Sequence, residues 1–262
     1  MTGFTNPAKE RLKKGEVALG CGVRLARTVE IAKMMATAGY DWLFIDMEHG
    51  SIDLDIACQM AVAALDAGIA PIPRVPSGEF SIATRLLDGG AAGIVIPHVD
   101  TADEAREIVD RLKYPPQGHR SVAGAMAQFG YRPTPLAEAT RSINAETLLI
   151  VMIETPRAVE NAEAIAAVPG IDVLLIGTND LSMELGIPGG LGDPKVVACY
   201  ERVIAACKRH GKHAGLGGVY TEDLMQKYIA MGTRFVLGGN DFSLVMQGAQ
   251  ARAKFVRGLP AS

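Results

Sequence analysis

Eight short apolar runs recur along the chain, at Val17–Val23, Trp42–Ile45, Ile72–Val75, Gly93–Ile96, Leu148–Ile153, Val173–Ile176, His213–Leu216 and Phe235–Leu237. Most lack polar alternation, the pattern of parallel strands covered on both faces. Between them the apolar spacing turns helical, over Thr28–Ala38, Leu54–Ala67, Ala102–Leu112, Ala158–Ala167, Lys195–His210, Thr221–Met231 and Phe242–Phe255. Strict alternation of eight strands with helices predicts an α/β fold of the (β/α)8 TIM-barrel type. A doubly wound open sheet also alternates, but the count of eight favours the barrel. One interval breaks the rhythm. Between Ile96 and Leu148 lie a helix, the run Tyr114-Pro115-Pro116-Gln117-Gly118 and a Gly- and Ala-containing stretch to Asn144. Connections of that length are usually lids, binding loops or interface segments. No repeat, low-complexity tract or linker interrupts the pattern, so one domain over residues 1–262 is expected.

Composition narrows the class. Of 262 residues, 48% are hydrophobic and 21% charged, enough for a sizeable core. A formal net charge of −3 favours neither nucleic acid nor an anionic membrane as a partner. No run of about 18 uninterrupted apolar residues is present to span a bilayer. Residues Met1 to Lys14 mix Pro7, Lys9, Glu10, Arg11, Lys13 and Lys14 without an apolar stretch, which argues against a secretory signal and for a cytoplasmic enzyme. Cys21, Cys58, Cys199 and Cys207 have no CxxC spacing and read as buried thiols rather than disulfides or zinc ligands.

In a barrel, functional side chains gather where strands end at their carboxyl side. Asp46-Met47-Glu48-His49-Gly50 follows the second run, Arg74 lies at the end of the third, and Pro97-His98 follows the fourth. Glu154-Thr155-Pro156 follows the fifth and Gly177-Thr178-Asn179-Asp180 the sixth, while Gly217-Gly218 and Gly238-Gly239 close the last two. Glu154 and Asp180 would meet on adjacent strands, where two carboxylates repel unless a cation sits between them. Oxygen ligands of this kind suit Mg²⁺ or Mn²⁺, with Co²⁺ also able to bind. Equally, each could cap a helix start. His49 is a natural proton acceptor near neutral pH, or a loop histidine capping a backbone group. Arg74 could bind a substrate carboxylate or a developing enolate, or serve a structural ion pair. The paired glycines could cradle a phosphate, a weak signal.

Five stretches in the same order resemble the HpcH/HpaI aldolases, class II pyruvate-dependent enzymes of the type that cleave 4-hydroxy-2-oxoheptanedioate or 2-dehydro-3-deoxyglucarate. They are Asp46-Met47-Glu48-His49-Gly50, Arg85-Leu86-Leu87-Asp88-Gly89-Gly90, Tyr114-Pro115-Pro116-Gln117-Gly118-His119-Arg120, Met152-Ile153-Glu154-Thr155 and Leu175-Ile176-Gly177-Thr178-Asn179-Asp180-Leu181. The resemblance runs from about Gly15 to the C-terminal helix. It implies that Glu154 and Asp180 hold a divalent metal, that Arg74 faces the pyruvyl oxygen, and that His49 is a general base with Asp88 as its carboxylate partner. It implies too that the backbone of Gly177-Thr178-Asn179 receives the pyruvate carboxylate, as amides at a helix start favour anions. Arg120 resembles a residue near the acceptor end that reaches a neighbouring subunit. The assembly implied is a homohexamer with the last helix exchanged between partners.

The chain also departs from the family pattern. Met152 stands where many members have glutamine, and Gly20-Cys21-Gly22-Val23-Arg24 where many have a first-strand tryptophan. Leu216-Gly217-Gly218 is leaner than in many relatives. A roomier mouth is expected near Gly22, with Arg24 adding positive charge to the acceptor site. The implied reaction is retro-aldol cleavage of a 4-hydroxy-2-oxo acid to pyruvate and an aldehyde. A Schiff-base route would need a lysine at a strand end, and none of Lys33, Lys113, Lys195, Lys208, Lys212 or Lys227 ends a run. The alternatives are a carbon–carbon lyase acting on acyl-CoA, of the malyl- or citramalyl-CoA type, and a non-catalytic barrel that binds a small acid.

Overall fold

The computed structural model describes residues 3–260. Its strands are β1 (Ala18–Val23), β2 (Trp42–Ile45), β3 (Ala70–Pro71), β4 (Gly93–Ile96), β5 (Leu148–Ile153), β6 (Val173–Gly177), β7 (His213–Gly217) and β8 (Phe235–Asn240). All pair in parallel in the order β3-β2-β1-β8-β7-β6-β5-β4. The ladder is closed between β3 and β4 by the Arg74–Val95 bridge and by Val95 N–H donating to Pro73 at 2.9 Å. This is the expected (β/α)8 barrel.

The third strand differs from its predicted span of Ile72–Val75. Regular pairing covers only Ala70–Pro71, and Arg74 is held by isolated bridges to Asp46 and Val95. Pro71 and Pro73 lack the N–H that a continuous ladder needs, so alternate rungs are missing.

Helices are α1 (Pro7–Lys13), α2 (Glu30–Thr37), α3 (Leu54–Ala67), α4 (Phe80–Asp88), α5 (Ala102–Leu112), α6 (Leu136–Glu146), α7 (Pro156–Glu160), α8 (Ala162–Ala166), α9 (Thr178–Glu184), α10 (Pro194–Arg209), α11 (Glu222–Met231) and α12 (Asp241–Arg257), with a 3₁₀ turn at Ala127–Phe129. The predicted Ala158–Ala167 helix is two short ones. They part at Asn161, whose side-chain amide donates to the Asp100 carbonyl at 2.8 Å and draws the backbone out of line.

Apolar residues form two layers. Leu149, Val151 and Ile153 of β5 pack outward under the helices, while Leu148, Ile150 and Met152 point into the barrel beside Trp42, Phe44 and Phe235. The indole of Trp42 stacks on Phe235 with centroids 4.0 Å apart and donates to the Ala18 carbonyl at 3.1 Å. It occupies the space left by Gly20, where a Cβ would fall 2.1 Å from the ring. Below it, Phe4 together with Ala8 and Leu12 of α1 closes the N-terminal end of the barrel. Asn6 caps this helix and donates to the carbonyls of Ala92 and Glu146. The long connection before β5 is pinned rather than loose. Lys113 is buried and donates to the Asn144 and Thr147 carbonyls at 2.8 and 2.7 Å, while Asn144 exchanges two hydrogen bonds with the backbone of Tyr114.

Candidate active site

The carboxyl ends of the strands surround a cavity whose lining includes His49, Arg74, Gly177, Thr178, Asn179, Asp180 and Arg24. Asp46 is its hub. This buried carboxylate takes the forked guanidinium of Arg74 at 3.0 and 2.8 Å, and the Nε of Arg24 lies 3.3 Å away. Its Oδ1 also accepts from the backbone N–H groups of Glu48 and His49, which ties the β2–α3 turn into a fixed shape. Burial pushes Asp46 up, but the Arg74 contact outweighs it and holds the carboxyl below its ordinary value. Arg74 extends its other Nη to Glu48 Oε2 at 3.0 Å and lies over the Phe44 ring. It therefore serves the internal ion pair that was one of its two expected roles, and it also lines the cavity.

Glu154 ends β5 and is buried, with one oxygen accepting from the His98 N–H at 2.9 Å. It does not cap the following helix, because Thr155 does so through the Ala158 N–H. Burial, reinforced by the charge of Asp180 and opposed by His98, pushes its carboxyl up to about 7. Asp180 stands exposed in the first turn of α9. Between them runs Gly177, where a Cβ would lie 2.5 Å from Glu154 Oε1. A side chain at position 177 would therefore strike Glu154.

Among the described residues no group of three or more His, Cys, Asp or Glu side chains converges as a metal site. The protein thus offers two carboxylates, a donor set that fits a hard divalent cation keeping its other positions for water or substrate oxygens. The Thr178 hydroxyl is spent internally, on Tyr200 at 2.6 Å and the Gly217 carbonyl at 2.7 Å. The backbone at Gly177–Asn179 and the exposed Asn179 side chain remain to meet a ligand there.

The His49 imidazole lines the cavity and makes no hydrogen bond among the described residues. Asp88, expected beside it, lies elsewhere. It ends α4, away from the cavity lining, and pairs with Arg120 at 2.5 Å. Within one chain, then, the expected His49–Asp88 pair does not form, because Arg120 occupies the carboxylate. Arg120 itself is buried against the Tyr114 ring rather than at the mouth. Gly22 lines the cavity, and a Cβ there would lie 2.9 Å from that of Asn240, which borders the same space. The paired glycines serve close packing: Gly217 accepts from Thr178, Gly218 adjoins Asn179, and a Cβ on Gly238 would strike Leu19.

Three participants were not singled out from the sequence. Tyr220 and Asn240 line the cavity, and Asp241 accepts from the N–H groups of Arg24, Leu25 and Ala26, shaping the loop that presents Arg24. Asn240 and Asp241 directly follow Gly238-Gly239, so the strand-end rule applied to β8 would have found them.

The HpcH/HpaI aldolase/citrate lyase family model matches residues 25–248. The chain belongs to this family. It is 39% identical to a 4-hydroxy-4-methyl-2-oxoglutarate aldolase of Hapsidospora irregularis, over 95% of this chain and 94% of that one. It is 37% identical to the 2-keto-3-deoxy-L-rhamnonate aldolase of Escherichia coli O17:K52:H18, over 95% and 92%. The HpcH/HpaI aldolase of Desulfitobacterium hafniense DCB-2 superposes with a TM-score of 0.91 at 32% identity, over 97% of each chain. These relatives make the chain an aldolase, and its cavity lies on the carboxyl face of the barrel.

Proposed function

We propose that the chain is a divalent-metal-dependent aldolase that reversibly cleaves a 4-hydroxy-2-oxo acid to pyruvate and a carbonyl fragment. The observation that carries this reading is the buried Glu154 beside Asp180, a carboxylate pair that needs a cation to be charged together. Glu154 and Asp180 hold Mg²⁺ or Mn²⁺, with Co²⁺ as a substitute. When bound, the ion supplies Lewis-acid polarisation of the C2 carbonyl.

The protein's own residues do the rest. The amides of Gly177, Thr178 and Asn179 receive the C1 carboxylate. Arg74, fixed by Asp46 and Glu48, presents its guanidinium to the C2 oxygen as negative charge develops there. His49 takes the C4 hydroxyl proton. The C3–C4 bond breaks, its electron pair entering the pyruvate enolate as the C4 carbonyl forms, and protonation at C3 gives pyruvate. No lysine lines the cavity among the described residues, which removes the nucleophile for a Schiff base.

Arg24 stands at the acceptor end with its side chain half exposed, suited to a carboxylate on the departing fragment. One relative is named for such a diacid, 4-hydroxy-4-methyl-2-oxoglutarate. The chain assembles as a homohexamer through exchanged copies of α12, where Phe242, Val245, Phe255 and Val256 are exposed. Asp88, with Arg120 behind it, then serves the His49 of a neighbouring subunit. The site is tested by Glu154→Ala and Asp180→Ala, which should abolish pyruvate release from 4-hydroxy-2-oxo acids while circular dichroism stays unchanged. Full activity in excess EDTA would overturn the assignment.

A further inference from the structure

His98 is one of two non-glycine residues in the left-handed region among the described residues, with φ of 54°. That conformation crowds Cβ against the backbone and persists only where the surroundings impose it. Here the flanks impose it. Val99 N–H donates to the Met152 carbonyl at 3.2 Å, Asp100 accepts from the Thr155 hydroxyl at 2.6 Å, and the Asp100 carbonyl accepts from Asn161 at 2.8 Å. The strained residue is thereby stitched to the stretch of chain that carries Glu154.

The result is a convergence on one atom. The His98 N–H meets Glu154 Oε2 at 2.9 Å, and the ring of the same residue returns so that Nδ1 lies 3.3 Å from that oxygen. On its far side Nε2 lies 3.8 Å from Glu48 Oε1, and Glu48 holds Arg74 through its other oxygen. The second oxygen of Glu154, Oε1, lies against Gly177, three residues before Asp180 in the chain. One carboxylate oxygen is therefore engaged by His98, while the other lies beside the Gly177 backbone.

We propose that His98 is a positioning residue for the metal site: its left-handed backbone and its imidazole together hold Glu154 Oε2, so that Oε1 is presented to the cation. This rests on the reading of Glu154 and Asp180 as metal ligands. Partners that orient a ligating carboxylate commonly matter roughly 10–100-fold in metal affinity.

The test is calorimetric titration of the metal-free, full-length protein with Mn²⁺, comparing His98→Gly, His98→Asn and Glu154→Gln. Glycine accepts the left-handed φ and keeps the backbone donor, so His98→Gly removes the ring alone. The expected result is Mn²⁺ binding weakened roughly 10–100-fold in His98→Gly and partly restored in His98→Asn, whose amide tolerates this φ and can still donate. The metal-free His98→Gly protein should melt no lower than the parent, because strain is relieved. Unchanged Mn²⁺ affinity in His98→Gly, with Glu154→Gln unable to bind, would overturn the role of His98 alone. Unchanged affinity in Glu154→Gln would remove the metal site itself. A Co²⁺ visible spectrum that differs in shape between parent and His98→Gly would make His98 a direct ligand and overturn the positioning role, as would a lowered melting temperature in the metal-free variant.

Discussion

Glu154 carries its proton to near neutrality because burial disfavours the charged form, so a cation entering the site must displace that proton. In the metal-free protein the folded state holds the proton more tightly than the unfolded chain. The stability this contributes is present below the ordinary value of 4.5 and is lost as pH rises to about 7. Metal affinity should run the other way, strengthening by roughly 50-fold from pH 5 to pH 7 and flattening above, with a proton released on binding. Calorimetry in buffers of different ionisation enthalpy reads both quantities, and a flat profile would contradict the displacement. At the acceptor end, Arg24→Ala should depress turnover of substrates that release a carboxylate-bearing carbonyl fragment far more than of those releasing a neutral aldehyde. Steady-state kinetics over a paired substrate panel checks it, and an unchanged preference would remove Arg24 from recognition. The strand-end rule reached Glu154, Asp180, Arg74 and His49 because each lies at the end of an apolar run or within four residues after it. It could not foresee that Asp46 would bind Arg74 in a fork or that Arg120 would claim Asp88, since those pairings depend on how separate loops fold over one another.

Among the elements, β6 and β3 show how single residues set what a strand can do. Gly177 has an ordinary φ of −83°, so alanine is free to adopt its backbone, yet its Cβ would collide with Glu154. Gly177→Ala should therefore abolish metal binding with little change in secondary structure, whereas Gly124→Ala, with open space around it, should be silent in the same titration. The connection before β5 makes a second prediction. Lys113→Met would leave the Asn144 and Thr147 carbonyls without their donor, at a cost of roughly 1–3 kcal/mol for each buried group, read as a lower urea midpoint. Helix spans such as Leu54–Ala67 and Ala102–Leu112 were legible to the residue because Asp53 and Thr101 cap them with side-chain hydrogen bonds. The extent of β3 was not, because the apolar run Ile72–Val75 conceals the rungs that Pro71 and Pro73 remove.

For the whole molecule, the count of eight apolar runs favoured a barrel over an open sheet, and the closure between β3 and β4 bears it out. The plug formed by Phe4 and α1 was hidden, because the buried Ala8 and Leu12 of the helix are outnumbered by its charged residues. At the opposite end of the sequence, α12 leaves Phe242, Val245, Phe255 and Val256 more than half exposed. Introducing aspartate at Val245 and Val256 should reduce the assembly mass measured by light scattering, and an unchanged mass would exclude this helix from the interface.

The chain contains a single tryptophan, and the fold places it where β1, β2 and β8 close on one another. Trp42 is thus a built-in optical reporter of barrel closure. Its emission should be blue-shifted and shielded from iodide in the folded protein, and loading of the mouth with metal should leave the wavelength unmoved. Only loss of the strand seam itself would redden it, so that unfolding and ligand binding can be followed separately in one cuvette.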